Sequence, residues 1–230
     1  TLSTFTKSVS MYDKLKKEID MIRASEEGTV ELLVAYDILR YLTPDCILEF
    51  QKKYPNVTFS YMEYPDRIVE KMLLDKEGNV ALSIGPFAGD CFDMKSLKKC
   101  SLGLLVYEEH SLAKKREATI LDLEGEPLYL ENSSFKLNEF IQSRCWNRGF
   151  EPDIVFETNG FDLCYKMCRL KRGISVTIDF VHEDMNTEGL VMIPFAEDDM
   201  IWEIGLLTLK DRAMESSVEK FYKYIENYNS

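Results

Sequence analysis

The sequence predicts an α/β chain built on open sheets flanked by helices, and three observations lead there. Short apolar runs of strand length alternate with helical periodicity from Gly28 to Pro86. The same alternation resumes from Leu102 to Leu209, and the chain closes on an amphipathic helix. Alternation of this kind favours parallel strands joined by right-handed crossovers, with ligands beyond the carboxyl ends of the strands.

The opening unit can be justified element by element. Val30 to Ala35 is a short apolar run, and Val57 to Met62 is rich in β-branched and aromatic residues, so both read as strands. Between them Leu42, Cys46 and Phe50 recur at helical spacing, with Thr43-Pro44 as an N-cap and first-turn proline if the helix starts or restarts there. Tyr54-Pro55 ends that helix. Ile68, Val69, Met72 and Leu73 mark a second helix, and Val80 to Ile84 is a continuous apolar strand of the kind buried on both faces. The strand ends give two candidate binding loops, 36–39 and 85–89.

The first 27 residues follow a different rule. Leu2, Phe5, Val9, Tyr12, Leu15, Ile19 and Ile22 form a heptad-like stripe on a segment otherwise rich in Lys, Asp and Ser. Such a stripe needs a partner, either its own domain or a second subunit. After the opening unit, Leu102 to Tyr107, Leu128 to Leu130, Ile154 to Phe156, Gly173 to Ile178, Val191 to Ile193 and Ile201 to Leu209 read as strands. Phe135 to Arg148 and Leu163 to Leu170 read as helices, and Val218, Phe221, Tyr222 and Ile225 give the closing helix its apolar face.

Composition sets limits. With 230 residues, 45% of them hydrophobic, the chain can bury a real core and form two lobes. A net charge of −12 argues against this stretch gripping a phosphate backbone, because such binding neutralises phosphates with Lys and Arg. No apolar run is long enough to span a membrane, and no membrane partner is expected. Thr1 is not an initiator Met, which points to a processed leader or an upstream domain. The six cysteines form no dense framework and read as free thiols of a reducing cytoplasm. Cys91 and Cys100 flank the Lys-rich stretch 95–99 and offer a redox pair as an alternative. Cys164 and Cys168, one helical turn apart, read as core.

These residues carry a family resemblance. Gly28 to Ala35, Leu42-Thr43-Pro44, Phe50 and Tyr54-Pro55-Asn56-Val57 resemble the opening of the effector-binding domain of LysR-type transcriptional regulators. Later landmarks follow in the same order: Leu105-Val106 with His110 to Ala113, Ile120 to Pro127, Gly173-Ile174-Ser175, and Trp202 to Arg212 with Phe221. Asn79 departs from the pattern, standing where an Asp often precedes the third strand. The resemblance implies a two-lobed fold like the type 2 periplasmic binding proteins, with two open mixed sheets flanked by helices. It divides the chain into a linker or dimerisation helix at 1–27, one lobe at 28–103 plus 199–230, and a second lobe at 104–198. It implies a small-molecule effector, a homodimer or tetramer, and DNA contact through a winged helix-turn-helix upstream of Thr1. It calls for no cofactor and no metal.

Site residues carried over from the resemblance are Tyr36, Asp37 and Ile38 after the first strand, and Gly85, Pro86 and Phe87 after the third. Asn132, Ser133, Ser134 and Phe135 follow the first strand of the second lobe, and Asn159 and Thr177 complete the ring. Ser133 and Ser134 suit the role of donors to an anion at a helix N-terminus, unless they merely cap it. Asp37 cuts the other way: a carboxylate at a helix start repels a second anion, so a neutral or cationic ligand is expected. A secreted solute-binding protein shares the expected fold but leaves the N-terminal stripe unexplained. Catalysis is not expected, since the chain lacks a nucleophile elbow, a phosphate-binding loop and a paired-histidine metal motif. His110 and His182 read as satisfied loop residues.

Overall fold

The structure is a computed structural model that describes residues 11, 12, 15, 28–87 and 89–228. Of the expected N-terminal helix, Met11, Tyr12 and Leu15 are helical and exposed. The remainder of the 1–27 stripe lies outside the described residues.

In chain order the elements are β1 (Gly28–Ala35), α1 (Ile38–Leu42), α2 (Asp45–Lys53), β2 (Val57–Tyr64), α3 (Asp66–Leu74), β3 (Val80–Ile84) and β4 (Phe92–Tyr107). Then come β5 (Leu128–Glu131), α4 (Lys136–Asn147), β6 (Ile154–Thr158), α5 (Phe161–Arg169), β7 (Ile174–Ile178) and α6 (Asp179–Asp184). β8 (Leu190–Pro194), β9 (Ile201–Leu209) and α7 (Ser216–Tyr228) complete the chain.

β1 lies between β2 and β3, parallel to both, and β9 adds antiparallel to β3 with Leu82 opposite Leu206. All five residues of β3 are buried, as a central strand covered on both faces requires. The second sheet has β5 parallel to both β6 and β7, so each sheet is mixed. β4 joins them. From Phe92 to Ser101 it runs antiparallel to β9, and from Leu102 onward it pairs with β7 and β8 instead. The expected strand at 102–107 is therefore only the second half of a 16-residue element. Its first half carries Lys95 and Lys99 on exposed positions and Lys98 on a half-buried one, and this polarity masks the strand period.

The core of the first lobe is aromatic. Phe50 meets Tyr54 at 4.9 Å, Phe221 at 5.0 Å edge-on and Tyr224 at 5.5 Å between ring centroids. The closing helix α7 thus packs on α2 as well as on β1, and the C-terminus completes the lobe that the N-terminal strands begin. The helix around Thr43-Pro44 breaks in two. Thr43 sits at φ 55°, ending α1, and Pro44 takes the N-cap position of α2 rather than its first turn. Asp179–Asp184 forms a helix that the sequence did not suggest, because its single turn and a half is too short to show a period.

Asn79 explains its own departure from the family pattern. Its Oδ1 accepts the Glu31 N–H at 2.9 Å while its Nδ2 donates to the Thr29 carbonyl at 3.0 Å, and an aspartate could make only the first of these bonds.

Five of the six cysteines are buried and Cys91 is exposed. Cys91 immediately precedes β4 and Cys100 lies well along its first half, about 30 Å away at ~3.3 Å per residue, far outside disulfide reach. Burial pushes the Cys100 thiol up to about 12, so the alternative of a redox pair is withdrawn.

Two outcomes follow for the fold. Under native conditions a thiol-specific reagent titrates one cysteine, abolished by Cys91→Ser, and denaturant exposes the remainder. A Cβ on Gly173 would stand 2.2 Å from the Pro127 carbonyl oxygen, which already accepts the Ile174 N–H at 2.9 Å. Gly173→Ala should therefore cost about 1–3 kcal/mol in chemical denaturation, by forcing β7 away from the turn before β5.

Candidate functional site

A cleft lies between the two lobes, where the ends of β1, β3 and β5 approach one another. Groups from both sides meet in a small cavity there. The first lobe contributes Ala35, Tyr36 and Asp37 from the end of β1, Asp66 from α3, Ile84 from β3 and Trp202 from β9. The second contributes Glu131 from the end of β5, Phe135 before α4, Phe161 from α5, Ile178 from β7 and Phe180 from α6. The cavity measures about 20 Å³, room for about one water.

The lobes are drawn together by charged contacts. Asp66, the first residue of α3, accepts the backbone N–H of Lys136 at 3.1 and 3.3 Å, so its carboxylate caps α4 from across the cleft. The Lys136 ammonium donates to Glu70 and, at 2.7 Å, to the Ile84 carbonyl. On the other flank Arg40 of α1 holds Asp37 at 2.5 Å within its own lobe and reaches Asp184 at 2.6 Å and Asp162 at 3.4 Å in the other. Tyr36 and Phe135 face each other at 6.1 Å between ring centroids.

The expected site residues fall into four groups. Tyr36, Asp37 and Phe135 line the cavity. Gly85, Pro86 and Phe87 line a neighbouring depression of about 450 Å³ with Phe140, Arg144 and Asp199, separated from the cavity by Trp202. Ile38 and Thr177 are buried in the interior; the Thr177 hydroxyl is held by the Tyr165 hydroxyl at 2.9 Å, which also meets His182 Nδ1 at 3.1 Å. Asn132 and Asn159 are joined at 2.6 Å, and Asn132 Oδ1 accepts the Ser134 N–H at 2.8 Å. Ser133 and Ser134 precede the helix: Phe135 takes the N-cap position of α4, and the cap itself comes from Asp66. Asp37 occupies the N-cap position of α1 at φ 69° without a capping bond, and its carboxylate goes to Arg40 instead.

Asp66 and Glu131 escaped the sequence reading. A signal existed for Glu131, a charged residue closing the otherwise apolar run Leu128-Tyr129-Leu130 at a strand's carboxyl end. Asp66 had only its place after Tyr64-Pro65 at a helix start, which reads as an ordinary first-turn acid.

Burial dominates the electrostatics of this cavity. It raises the Asp37 carboxyl against the pull of Arg40, with Asp162 and Asp184 adding to the push. It raises Asp66 to about 6 despite the nearby Lys136 ammonium. Burial drives Glu131 well above the usual carboxylate range, with Asp37 and Asp66 adding repulsion.

The pH dependence follows with its sign. Asp66 binds its proton more tightly when folded, so its contribution to stability is complete below its ordinary value of 3.8 and is lost as pH rises through about 6. Lowering the pH from about 7 to about 5 should stabilise the chain by about 1 kcal/mol through this group. Asp66→Asn, which keeps an acceptor for the Lys136 N–H, should reduce that gain in denaturation curves measured at the two pH values.

The chain is 25% identical over 185 residues to the HTH-type transcriptional regulator YwbI of Bacillus subtilis, covering 80% of this chain and 62% of that protein. It therefore spans under two thirds of that relative's length. Among solved structures, the regulatory domain of CcmR from Synechocystis PCC6803, in complex with 2-PG, superposes with a TM-score of 0.79 at 16% identity, over 89% of this chain and 98% of that one. The effector-binding domain of BenM with its effector benzoate superposes with a TM-score of 0.73 at 18% identity, over 88% and 92% of the two chains. The fold is thus the two-lobed, type 2 periplasmic-binding-protein-like architecture of effector-binding domains. The LysR substrate binding domain family matches residues 23–229, and the chain belongs to that family.

Proposed function

We propose that this chain is the sensing module of a LysR-type transcriptional regulator, which binds a small-molecule effector between its lobes and passes the change to a DNA-binding part of the same protein. The observation that carries this reading is the cleft itself. Side chains from both lobes converge on one cavity, while the lobes are covalently joined only through β4 and the segment between β8 and β9. A ligand that contacts both walls differently in open and closed forms shifts their balance by that difference in affinity.

In this reading the lobes are 28–103 with 199–230, and 104–198. The ligand-contacting set includes Tyr36, Asp37 and Phe135, and the N-terminal stripe joins two copies in a homodimer or tetramer. The protein works in the cytoplasm and binds DNA through residues outside this chain. No helix among the described residues is long and apolar enough to cross a membrane. The module senses rather than catalyses. Its buried hydroxyl–imidazole group, Thr177, Tyr165 and His182, serves to hold β7, α5 and α6 together.

A thermal-shift screen of metabolites tests the reading. An effector at 100 times its dissociation constant stabilises by about 2.7 kcal/mol, which for a chain of this size raises Tm by roughly 5–10 °C. Tyr36→Ala, at a half-exposed position on the cavity wall, should cut that shift by more than half. Hits that stabilise the variant as well as the parent chain would bind elsewhere and count against the cleft.

A further inference from the structure

We propose that the effector is a small organic cation, an ammonium group received by Glu131 between Asp37 and Asp66 and enclosed by aromatic rings. The inference rests on the cleft being the effector site and names the class of ligand it takes.

The primary observation is Glu131. It is 4% exposed and lines the cavity, and its carboxyl has no hydrogen-bond or ion-pair partner among the described residues. Its charged neighbours are the like-charged Asp37 and Asp66. A lone buried carboxyl is costly unless a partner arrives, and the partner that fits is a cation with hydrogen-bond donors. Two cations near the cavity are already committed. Arg40 is shared among Asp37, Asp162 and Asp184, and Lys136 is taken by Glu70 and the Ile84 carbonyl.

Second, the helix N-terminus that would favour an anion is already filled. The N-terminus of α4 opens on the cleft, but Asp66 already accepts its first N–H, so a ligand carboxylate would have to displace a protein carboxylate.

The walls supply the third argument. Tyr36, Phe135, Phe161, Phe180 and Trp202 surround the cavity, and aromatic faces attract ammonium groups where water is excluded. A bare metal ion fits poorly, because the described residues contain no group of three or more carboxylate, thiol or imidazole side chains close enough to ligate one. Hydrocarbon substituents on an ammonium would rest on the rings. The cavity of about 20 Å³ admits little more than the ammonium head, so a ligand with a carbon chain must part the lobes against the Arg40 and Lys136 contacts.

The test uses ammonium, methylammonium, putrescine and choline chlorides against sodium chloride of equal ionic strength, with benzoate, acetate, acetamide and glucose as the other classes. Each is titrated by thermal shift and by fluorescence of the Trp146→Phe chain, which leaves Trp202 on the cavity wall as its single tryptophan. Trp146 is 55% exposed, so its replacement is expected to leave the fold intact. The expected result is a saturable rise in Tm and a change in Trp202 emission with one or more of the cations. Glu131→Gln should then weaken that cation's apparent affinity about tenfold or more. If the variant does not fold, the Trp202 signal still decides between the classes. Benzoate, acetate or a neutral compound moving Trp202 while no cation does would overturn the cation and leave the cleft as the sensing site. A cation that stabilises the chain without moving Trp202, or that binds Glu131→Gln as tightly, would also overturn it. Silence from every class would remove both the cation and the cleft reading.

Discussion

Both sheets hang on β4. A single strand supplies antiparallel edges to β9 in its first half and to β7 and β8 in its second, with the change of partner falling between Ser101 and Leu102. Backbone hydrogen bonding thus continues through the junction, and β4 is a spine shared by both lobes. Close approach of the strands on the second side depends on Gly103, where an added Cβ would meet Met192 at 2.4 Å. The cleft exists because this spine holds the ends of β1, β3 and β5 face to face.

What lines that space is a set of acidic side chains under poor solvation. Carboxylates from α3 and β5 are buried where ordinary packing would place apolar groups, and their titration is displaced upward by the loss of water. Two devices limit the cost. Asp66 is placed against the N–H of α4, and Glu70 is neutralised by Lys136. Glu131 has no comparable device among the described residues. The two lobes are held together here by their own cross-lobe contacts.

The class, the order of strands and helices, and the family were legible before any coordinates because each depends on local periodicity or on ordered landmarks. Val80–Ile84 and Ile201–Leu209 were bounded as found, since continuous apolar runs between turn residues leave little ambiguity. The first half of β4 was hidden by lysines on its solvent side, and α6 by its brevity. Part of the cavity wall was legible: Tyr36 and Asp37 follow β1 directly and Phe135 closes the loop after β5, and an open sheet gathers side chains beyond its strand ends. Ile38 and Thr177, one position removed from such places, turn inward instead, because neighbouring side chains in a strand or tight turn point in opposite directions.

The sequence by itself determined the alternating architecture, the acidic balance and the presence of a carboxylate beside the first binding loop. Only the tertiary structure decided which carboxylates meet. Asp37, Asp66 and Glu131 come from three separate elements in two lobes, and the spacing between them along the chain says nothing of their distance in space. Whether a carboxylate is paired, capping or alone depends on cross-lobe partners such as Lys136 and Arg40, and that is fixed by packing rather than by any local pattern.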